Sequence, residues 1–547
     1  MMVPETCILK NGDCMMKRIV SMLLCVMMTV SLAAFHASAE DTLFFGEPEP
    51  VVPDDATYFI DGFKKTDADL ASTGVTLDDP IIVPRIVVTT ENGNGTTLQK
   101  EDGYQNASIS ITDTDGSVLS DSCSFKVRGN TTAMAAIGKK AYTFKFEKKK
   151  DVLGMGKGKK WVLLANTFDP TMLRNYMGFE FAHHLGLPYT SEHRFVEVFL
   201  DGSYRGCYEL VEPVQEGKER VNIDIESNDG KKDFLIEYER TRLEPDVTYF
   251  TVDGLRFIAS DPDEPDEDQL NYITETLTAV TDTMRNGSRE EIEEVIDVPS
   301  FVKFYLLNEF FKTMDFDESS VFFFYKDGKL YAGPAWDYDM STGNTNADLV
   351  SAHARNTAKT DDILQDTKNF YKYIGRKSWF VDEVKKAYEE NYDYMVSLFA
   401  ENGLLDTWSN ESKDIFDRNW TVWRVSRHWY NYQKPPLATY QLNLDFLKNW
   451  LNERNSWLFD YYDLFSYEYL RGDADGNGAL DVIDATTIQR VLAGLSVQDE
   501  DGHMALRATV TDDELSITDA TAIQRYLASL DNIYELDTTV KVKLREK

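Results

Sequence analysis

Charged residues stand at the ends of predicted strands across the middle of the chain. The segment Lys126–Thr132 ends one strand with a glycine turn, whose backbone N–H groups suit a phosphate. A strand with Lys145 follows, Glu212 ends a later strand, and Asp315 and the motif Trp336-Asp337-Tyr338-Asp339 flank a predicted β-hairpin. A lysine for phosphates, an aspartate for the accepting hydroxyl and another for Mg²⁺ are what phosphoryl transfer requires. Aspartates are also common in turns, so a structural interpretation stays open from spacing alone.

A second set of oxygen ligands lies near the C-terminus, in a loop of twelve residues followed directly by a predicted helix. Ca²⁺ takes six to eight oxygen ligands, and Gly478 at loop position 6 permits the sharp turn such a loop needs. The predicted ligands are Asp473, Asp475, Asn477, the carbonyl of Ala479, Asp481 through water, and Asp484. A solvated acidic turn is the structural alternative.

This loop–helix segment is duplicated. Residues 484–493 return nearly unchanged as residues 519–528, which indicates a repeated helical unit. The second loop has Ala508 and Val510 at positions 1 and 3, and Asp513 where the first loop has glycine. Asp512 and Asp519 alone supply too few oxygens, so we expect one strong calcium site and a degenerate second one.

The elements that must position these residues follow from hydrophobic periodicity. Alternating segments predict strands near 107–111, 124–127, 142–146, 195–200, 208–211 and 234–240, and a hairpin about Asp327-Gly328. Helical periodicity begins near Asp169 as a cap and ends at Gly186, then returns at 288–314 and through the tryptophan-rich stretch 365–465. These tryptophans suit either packed helices or an exposed sugar-binding platform. The fold class predicted is α+β, with a small all-α module at the C-terminus.

The central region resembles the spore coat protein H (CotH) family of atypical kinases over about residues 84–465. The motifs that carry the resemblance are RGN at 128–130, NTFDPTMLRN at 166–175, and WDYD after the KDGK hairpin. The resemblance implies an atypical protein-kinase-like fold that phosphorylates protein Ser/Thr with ATP and Mg²⁺ or Mn²⁺.

The same resemblance implies roles for individual residues. Arg128, Gly129 and Asn130 would lie next to the phosphates, and Lys145, or Lys140 as the fallback, would pair with them. Glu212 would be the ionic partner of the lysine, and Asp315 would orient the acceptor hydroxyl. Asp337 and Asp339 would be the metal ligands. Asp169, Arg174 and Asn175 match family positions too, although a helix cap and a packing ion pair explain them equally well.

Residues 468–530 resemble a type I dockerin, which implies a cohesin domain of a scaffoldin as the partner and a cellulosomal or cell-surface location. The positions that carry specificity in that family are here Val482, Ile483, Gln489, Arg490, Ile517, Thr518, Gln524 and Arg525. Residues 531–547 would form a C-terminal tail.

Composition and the N-terminus bound the remaining possibilities. With 57 Lys+Arg against 93 Asp+Glu, the net charge of −36 argues against binding nucleic acid. A basic start, an apolar run and Ala37-Ser38-Ala39 predict a signal peptide at 1–39, with translation beginning at Met15 or Met16, an extension at 40–83, and secretion. We expect no membrane span after its cleavage. Cys123 and Cys207 would remain, either bridged or as two buried thiols.

Other interpretations stay open at this point. ATP is scarce outside cells, so a catalytically silent structural or carbohydrate-associated component is one alternative, and a glycan-active enzyme is another. The glycine run 154–160 imitates a phosphate loop but is better explained as a hairpin turn. His183-His184 is expected to be structural.

Overall fold

The computed structural model describes residues 74–133, 138–226, 232–240, 244, 247–345, 359–364, 367–423 and 437–545. The predicted signal peptide, and the predicted extension up to residue 73, lie outside these residues. The chain divides into two compact units, Met1–Asn455 and Ser456–Lys547.

The larger unit begins with a closed, seven-stranded barrel. Its strands are β1 (Arg85–Thr90), β2 (Gln105–Thr112), β3 (Val118–Arg128), β4 (Ala141–Asp151), β5 (Lys157–Leu164), β6 (His193–Leu200) and β7 (Ser203–Val211). Their order is β1-β2-β3-β4-β5-β7-β6, and β1 closes the barrel by pairing in parallel with β6. Phe125, Val127, Phe144 and Trp161 fill the interior. The residues that alternate with them therefore lie on the outer face of β3, β4 and β5.

A second sheet of five antiparallel strands follows the barrel, in the order β12-β11-β8-β10-β9. The strands are β8 (Phe234–Tyr238), β9 (Tyr249–Val252), β10 (Leu255–Asp261), β11 (Val321–Lys326) and β12 (Lys329–Ala332). The helices of this unit are α1 (Arg174–His184), α2 (Glu267–Asn286), α3 (Arg289–Val295), α4 (Val298–Phe311), α5 (Tyr371–Ile374), α6 (Ser378–Glu390), α7 (Tyr392–Phe399), α8 (Leu404–Glu411), α9 (Lys413–Trp423) and α10 (Tyr440–Tyr461), the last of which crosses the division between the units. The mixed α+β content is as predicted.

The first helix begins later than the sequence predicts. Asp169 does not start a helix, because Asn166 and Met172 have positive φ angles and residues 166–172 form two successive tight turns. Helix α1 instead begins at Arg174, whose backbone N–H donates to Asp169 Oδ2 at 2.7 Å. Asp169 therefore still binds the helix N-terminus, but from five residues upstream.

Three of the six tryptophans described in the helical region belong to the core. Trp408, Trp423 and Trp450 are buried, and Trp423 Nε1 donates to the carbonyl of Arg205 at 2.7 Å. The packed-helix interpretation therefore holds for these three residues. Cys123 and Cys207 are both buried and free rather than bridged.

The smaller unit contains two similar helices, α11 (Val482–Leu492) and α13 (Ile517–Leu527), with a short α12 (Met504–Ala508) between them. Ala485, Ile488, Ala520 and Ile523 form part of their shared core. The prediction of an all-α module is wrong, because β13 (Ser466–Leu470) pairs antiparallel with β14 (Thr539–Lys543). The segment predicted as a tail supplies β14, and Asp463 binds Lys543 Nζ at 2.8 Å beside it.

Within the described ranges, no helix combines the length and the apolar character that crossing a membrane requires.

Candidate functional site

The WDYD motif follows β12 as irregular chain, and a buried tyrosine fixes it in place. Asp337 has a left-handed backbone, with φ of 68°. Tyr338 is buried against Gly178 of α1, where a Cβ atom would lie 2.3 Å from the Tyr338 ring. The Tyr338 backbone N–H donates to Asn175 Oδ1 at 2.7 Å. Glycine at position 178 thus allows the close approach that holds Asp337 and Asp339 on either side of this ring.

A buried ion pair fastens the residues that follow the motif. Arg174 Nη1 donates to Asp169 Oδ1 at 2.6 Å, and both side chains are 1% exposed. Arg174 Nε also donates to Thr342 Oγ1 at 2.9 Å and to the Ser341 carbonyl at 3.2 Å. Asp169 and Arg174 therefore act as a cap and a packing pair, and they join NTFDPTMLRN to the chain after WDYD.

Asp339 lies among other acidic residues at this site. Asp315 lies in a short 3-10 turn, Met314–Asp317, just after α4, and the Met314 N–H donates to the Met340 carbonyl at 3.1 Å. Burial, and then the charges of Asp337, Asp315 and Asp169, raise the pKa of Asp339 well above its ordinary value, while Arg174 opposes the rise. Such clustered carboxylates favour a bound cation, because the cation offsets their mutual repulsion.

The outer face of β3, β4 and β5 carries Lys126, Arg128, Lys145 and Lys160, which we call the basic face. Register brings them together, since Lys145 pairs with Ser124 on one side and with Lys160 on the other. The Arg128 guanidinium lies 5.4 Å from the centre of the Trp336 ring. Burial lowers the pKa of Arg128, whereas Asp337 and Glu237 favour its charged form. The basic face therefore meets the WDYD motif through Arg128.

Glu212 does not occupy the predicted position. It pairs with Arg220, with Oε1 3.4 Å from Arg220 Nε, and both side chains are buried. Burial raises the pKa of Glu212 to about 7, and Arg220 opposes this rise. Lys145 is exposed on β4. The predicted ion pair between Lys145 and Glu212 is therefore wrong, because the segment after β7 folds back and presents Arg220 to the glutamate.

The other residues predicted to bind phosphate differ in their surroundings, and only one of them faces the WDYD motif. Gly129 has φ of 91°, and a Cβ atom there would lie 2.1 Å from Thr132 Oγ1, so the turn requires glycine. Asn130 Oδ1 accepts from Lys100 Nζ at 2.6 Å. The fallback Lys140 donates to the Leu98 carbonyl at 3.1 Å and to Gln99 Oε1 at 2.6 Å. Lys140 is thus engaged elsewhere, and Arg128 is the member of the RGN motif that faces WDYD.

In the described chain the glycine run begins as a hairpin turn, and His184 of the histidine pair packs on an aromatic ring. Val152–Gly156 is the turn between β4 and β5, closed by a hydrogen bond from the Met155 N–H to the Val152 carbonyl at 3.1 Å. His184 stacks on Tyr394 with ring centres 3.7 Å apart. Lys160, the last residue of the glycine run, was predicted only as part of the hairpin turn, but it lies on β5 and is half-buried. Alternation along β5 was the available signal, because Trp161 and Leu163 point inward.

The first C-terminal loop is folded around its acidic residues. Asp473 accepts hydrogen bonds from the backbone N–H groups of Gly476, Asn477 and Gly478 at 2.8–3.1 Å. One oxygen each of Asp473, Asp475 and Asp484 lies within 4.8 Å of the others, and these are the only such carboxylates, histidines or cysteines among the residues described. Burial, with the charges of Asp475 and Asp473, raises the pKa of Asp484 to about 6 against two backbone hydrogen bonds. This oxygen-only donor set fits a hard cation such as Ca²⁺.

The second loop satisfies its aspartate internally. Asp519 accepts from the backbone N–H groups of Val510, Thr511 and Ser516 and from the Thr511 hydroxyl, at 2.8–2.9 Å. Burial opposes ionisation, but these hydrogen bonds lower the pKa of Asp519. Ala508 stands where the first loop has Asp473. The charge of Asp519 is therefore stabilised without a cation, which supplies a physical reason for the expected weakness of a second calcium site.

The eight positions of the smaller unit predicted to contact a partner are all exposed. The apolar ones are notable, with Val482 63%, Ile483 52% and Ile517 56% exposed. Apolar side chains this exposed near two helix N-termini are available for a protein contact.

Comparison with known proteins identifies the larger unit. No curated protein matches the chain. The family model described as CotH kinase protein matches residues 125–458, which include the basic face, Asp315, the WDYD motif and most of the helical region. The chain belongs to the CotH kinase protein family.

Proposed function

We propose that this protein is an atypical kinase that transfers the γ-phosphoryl group of ATP to a Ser or Thr hydroxyl of a protein. The observation that carries the proposal is that Arg128 of the basic face lies against Trp336 and beside the charge of Asp337. The cations of the basic face suit the phosphates of a nucleotide, and the carboxylates of the WDYD motif suit a divalent metal. Membership in the CotH kinase protein family supports the same chemistry.

The aspartates of the site would have two roles in the transfer. Asp337 and Asp339 would hold Mg²⁺ or Mn²⁺, which neutralises phosphate charge when bound. Among the described residues, Asp315, Asp337 and Asp339 do not bring one oxygen each within 4.8 Å of the others. We therefore expect Asp337 and Asp339 to hold the metal together with phosphate oxygens, as is usual for Mg²⁺. Asp315 would orient the acceptor hydroxyl and accept its proton as the new O–P bond forms and ADP leaves.

The test is label transfer from γ-labelled ATP by the full chain with Mg²⁺ or Mn²⁺, to itself or to casein. Asp337→Asn should abolish transfer, because it removes the charge that holds the metal. Asp327→Asn is a matched control, since Asp327 lies in the β11–β12 hairpin turn with φ of 50°, which asparagine tolerates. Transfer that survives Asp337→Asn, or that is absent from the wild-type chain with both metals, would contradict the proposal.

A catalytically silent member of the family is the second candidate. The observation that favours it is the pairing of Glu212 with Arg220 rather than with Lys145. Protein kinases rely on a lysine–glutamate ion pair to position phosphates. Stoichiometric ATP binding without any label transfer would favour this candidate over the kinase.

We propose that the smaller unit is a calcium-dependent dockerin that attaches the protein to a cohesin domain of a scaffoldin. The support is the carboxylate cluster of the first loop together with the exposed apolar residues that follow it. Calcium would be held by the six predicted ligands of residues 473–484, and the partner would contact the eight exposed positions near both helices. Secretion and a cellulosomal or cell-surface location are part of this proposal.

Binding to a panel of purified type I cohesins tests the docking proposal. At least one cohesin should bind in Ca²⁺ and be released by EDTA. Ile483→Asp should weaken that binding, because a charge replaces an exposed apolar contact. Val118→Asp is the matched control, since Val118 is 61% exposed at the start of β3 in the larger unit. Failure of every cohesin to bind in Ca²⁺ would contradict the proposal.

A further inference from the structure

Four cations share the basic face, and they differ in what surrounds them. Lys145 is exposed, and Lys126 lies 4.5 Å from the centre of the Tyr104 ring. Arg128 faces Trp336 and Asp337. Lys160 is half-buried on β5 beside Lys145 of β4, and its charged neighbours include Arg128 and Asp261.

Lys160, like Lys126 and Lys145 on the same face, differs from the buried lysines of this unit in its hydrogen bonding. Lys139 donates to the carbonyls of Ala165 and Cys207 at 2.7 and 2.5 Å, and Lys140 donates to Leu98 and Gln99. Lys312 binds the carbonyls of Lys359 and Asp361. In the part of the chain that the structure describes, no residue accepts a hydrogen bond from Lys160 Nζ.

The ammonium group of Lys160 is only partly accessible to water, so a ligand that supplies negatively charged oxygens would stabilise its charge. Burial, followed by the charges of Arg128 and Lys126, lowers the pKa of Lys160 to about 8. Asp261 opposes this, but Asp261 Oδ2 already accepts from the Glu216 N–H at 2.6 Å. Neighbouring cations that repel one another favour a ligand with several negative charges, such as a polyphosphate.

We infer that Lys160, together with Arg128, binds the phosphates of the nucleotide, and that Lys145 lies outside this contact. The inference rests on the proposed function and deepens it, because it assigns the phosphate-binding lysine to β5 rather than β4. In this arrangement phosphate binding does not require a lysine–glutamate ion pair, because Arg128, which lies beside Asp337, supplies the second cation.

The test compares Lys160→Met, Lys160→Arg, Lys145→Met and Lys148→Met in the full chain, by titration with ATP and competition with inorganic tripolyphosphate. Lys145→Met tests the lysine that pairs with Lys160 in the strand register. Lys148→Met is the matched control, because Lys148 is an exposed lysine further along β4 and should bind ATP as the wild type does. Lys160→Met should weaken ATP binding by about tenfold or more, which corresponds to one charge-assisted contact. Lys160→Arg should retain most of the binding, Lys145→Met should bind as the wild type does, and tripolyphosphate should displace ATP.

The other outcomes separate this inference from the proposed function. If Lys145→Met weakens ATP binding and Lys160→Met does not, the inference fails while the kinase proposal stands. If Lys160→Met lowers the unfolding midpoint and Lys160→Arg restores neither stability nor ATP binding, the role of Lys160 is structural and the inference fails. If the wild-type chain binds no ATP with or without Mg²⁺, both fail.

Discussion

Removal of the Arg174 guanidinium is the perturbation that best tests how the candidate site is held. In Arg174→Met the stem keeps most of its volume, but Asp169 loses its ion-pair partner at 1% exposure. The Ser341 carbonyl and the Thr342 hydroxyl also lose a donor. Breaking a buried pair by removing one partner costs about 3–5 kcal/mol, because the remaining charge stays buried. We expect a loss of unfolding free energy in that range.

Urea unfolding followed by tryptophan fluorescence measures this loss in the full chain. All nine tryptophans lie within residues 125–458, so the signal reports on the family domain. Lys386→Met is the control, because Lys386 forms an exposed ion pair with Glu390, and its midpoint should match the wild type. A loss below about 1 kcal/mol for Arg174→Met, the range of a surface pair, would refute the buried-pair reasoning.

Three further predictions concern packing, pH and calcium. Gly178→Ala should destabilise the larger unit by about 1–3 kcal/mol in the same urea assay, because the new methyl group would overlap the Tyr338 ring; wild-type stability would refute this. Burial lowers the pKa of His193, but its neighbours Glu180 and Glu209 raise it to about 9. The stabilisation from the charged imidazole is therefore fully present below pH 6.5 and is lost as pH rises through 9. The urea midpoint should therefore fall over that pH window, and His193→Gln should remove this dependence; an unchanged pH profile would contradict the assignment. Calorimetry should find one strong calcium site that Asp484→Asn abolishes and Asp519→Asn leaves intact, whereas two strong wild-type sites would overturn the account of the second loop.

Regular elements were predictable because their signals are local. Alternation placed Phe125 and Phe144 inside the barrel, and Asp327-Gly328 marked the hairpin between β11 and β12. Closure of the barrel through the parallel pairing of β1 with β6 has no such local signal. It depends on contacts between strands more than a hundred residues apart.

Interactions between distant segments were harder to predict, because they depend on how the chain folds back on itself. The sequence identified Glu212 and Lys145 as suitable types, but not the return of residues 212–221 that pairs Glu212 with Arg220. In the same way, positive φ at Met172 delays α1 until Arg174, although Asp169-Pro170 is typical of a helix start. A strand formed by residues beyond the repeats was also missed, because Thr539–Lys543 needs β13 as its partner.

The central claim is that Arg128, Lys160 and the WDYD carboxylates bound one metal–nucleotide site. Its most direct test is calorimetric titration of ATP into the full chain with and without Mg²⁺. We expect Mg²⁺ to tighten ATP binding in the wild type, and Asp337→Asn to remove that gain without weakening Mg²⁺-free binding, because a negative charge beside Arg128 is lost. A gain from Mg²⁺ that persists in Asp337→Asn, or no ATP binding by the wild type, would contradict the claim.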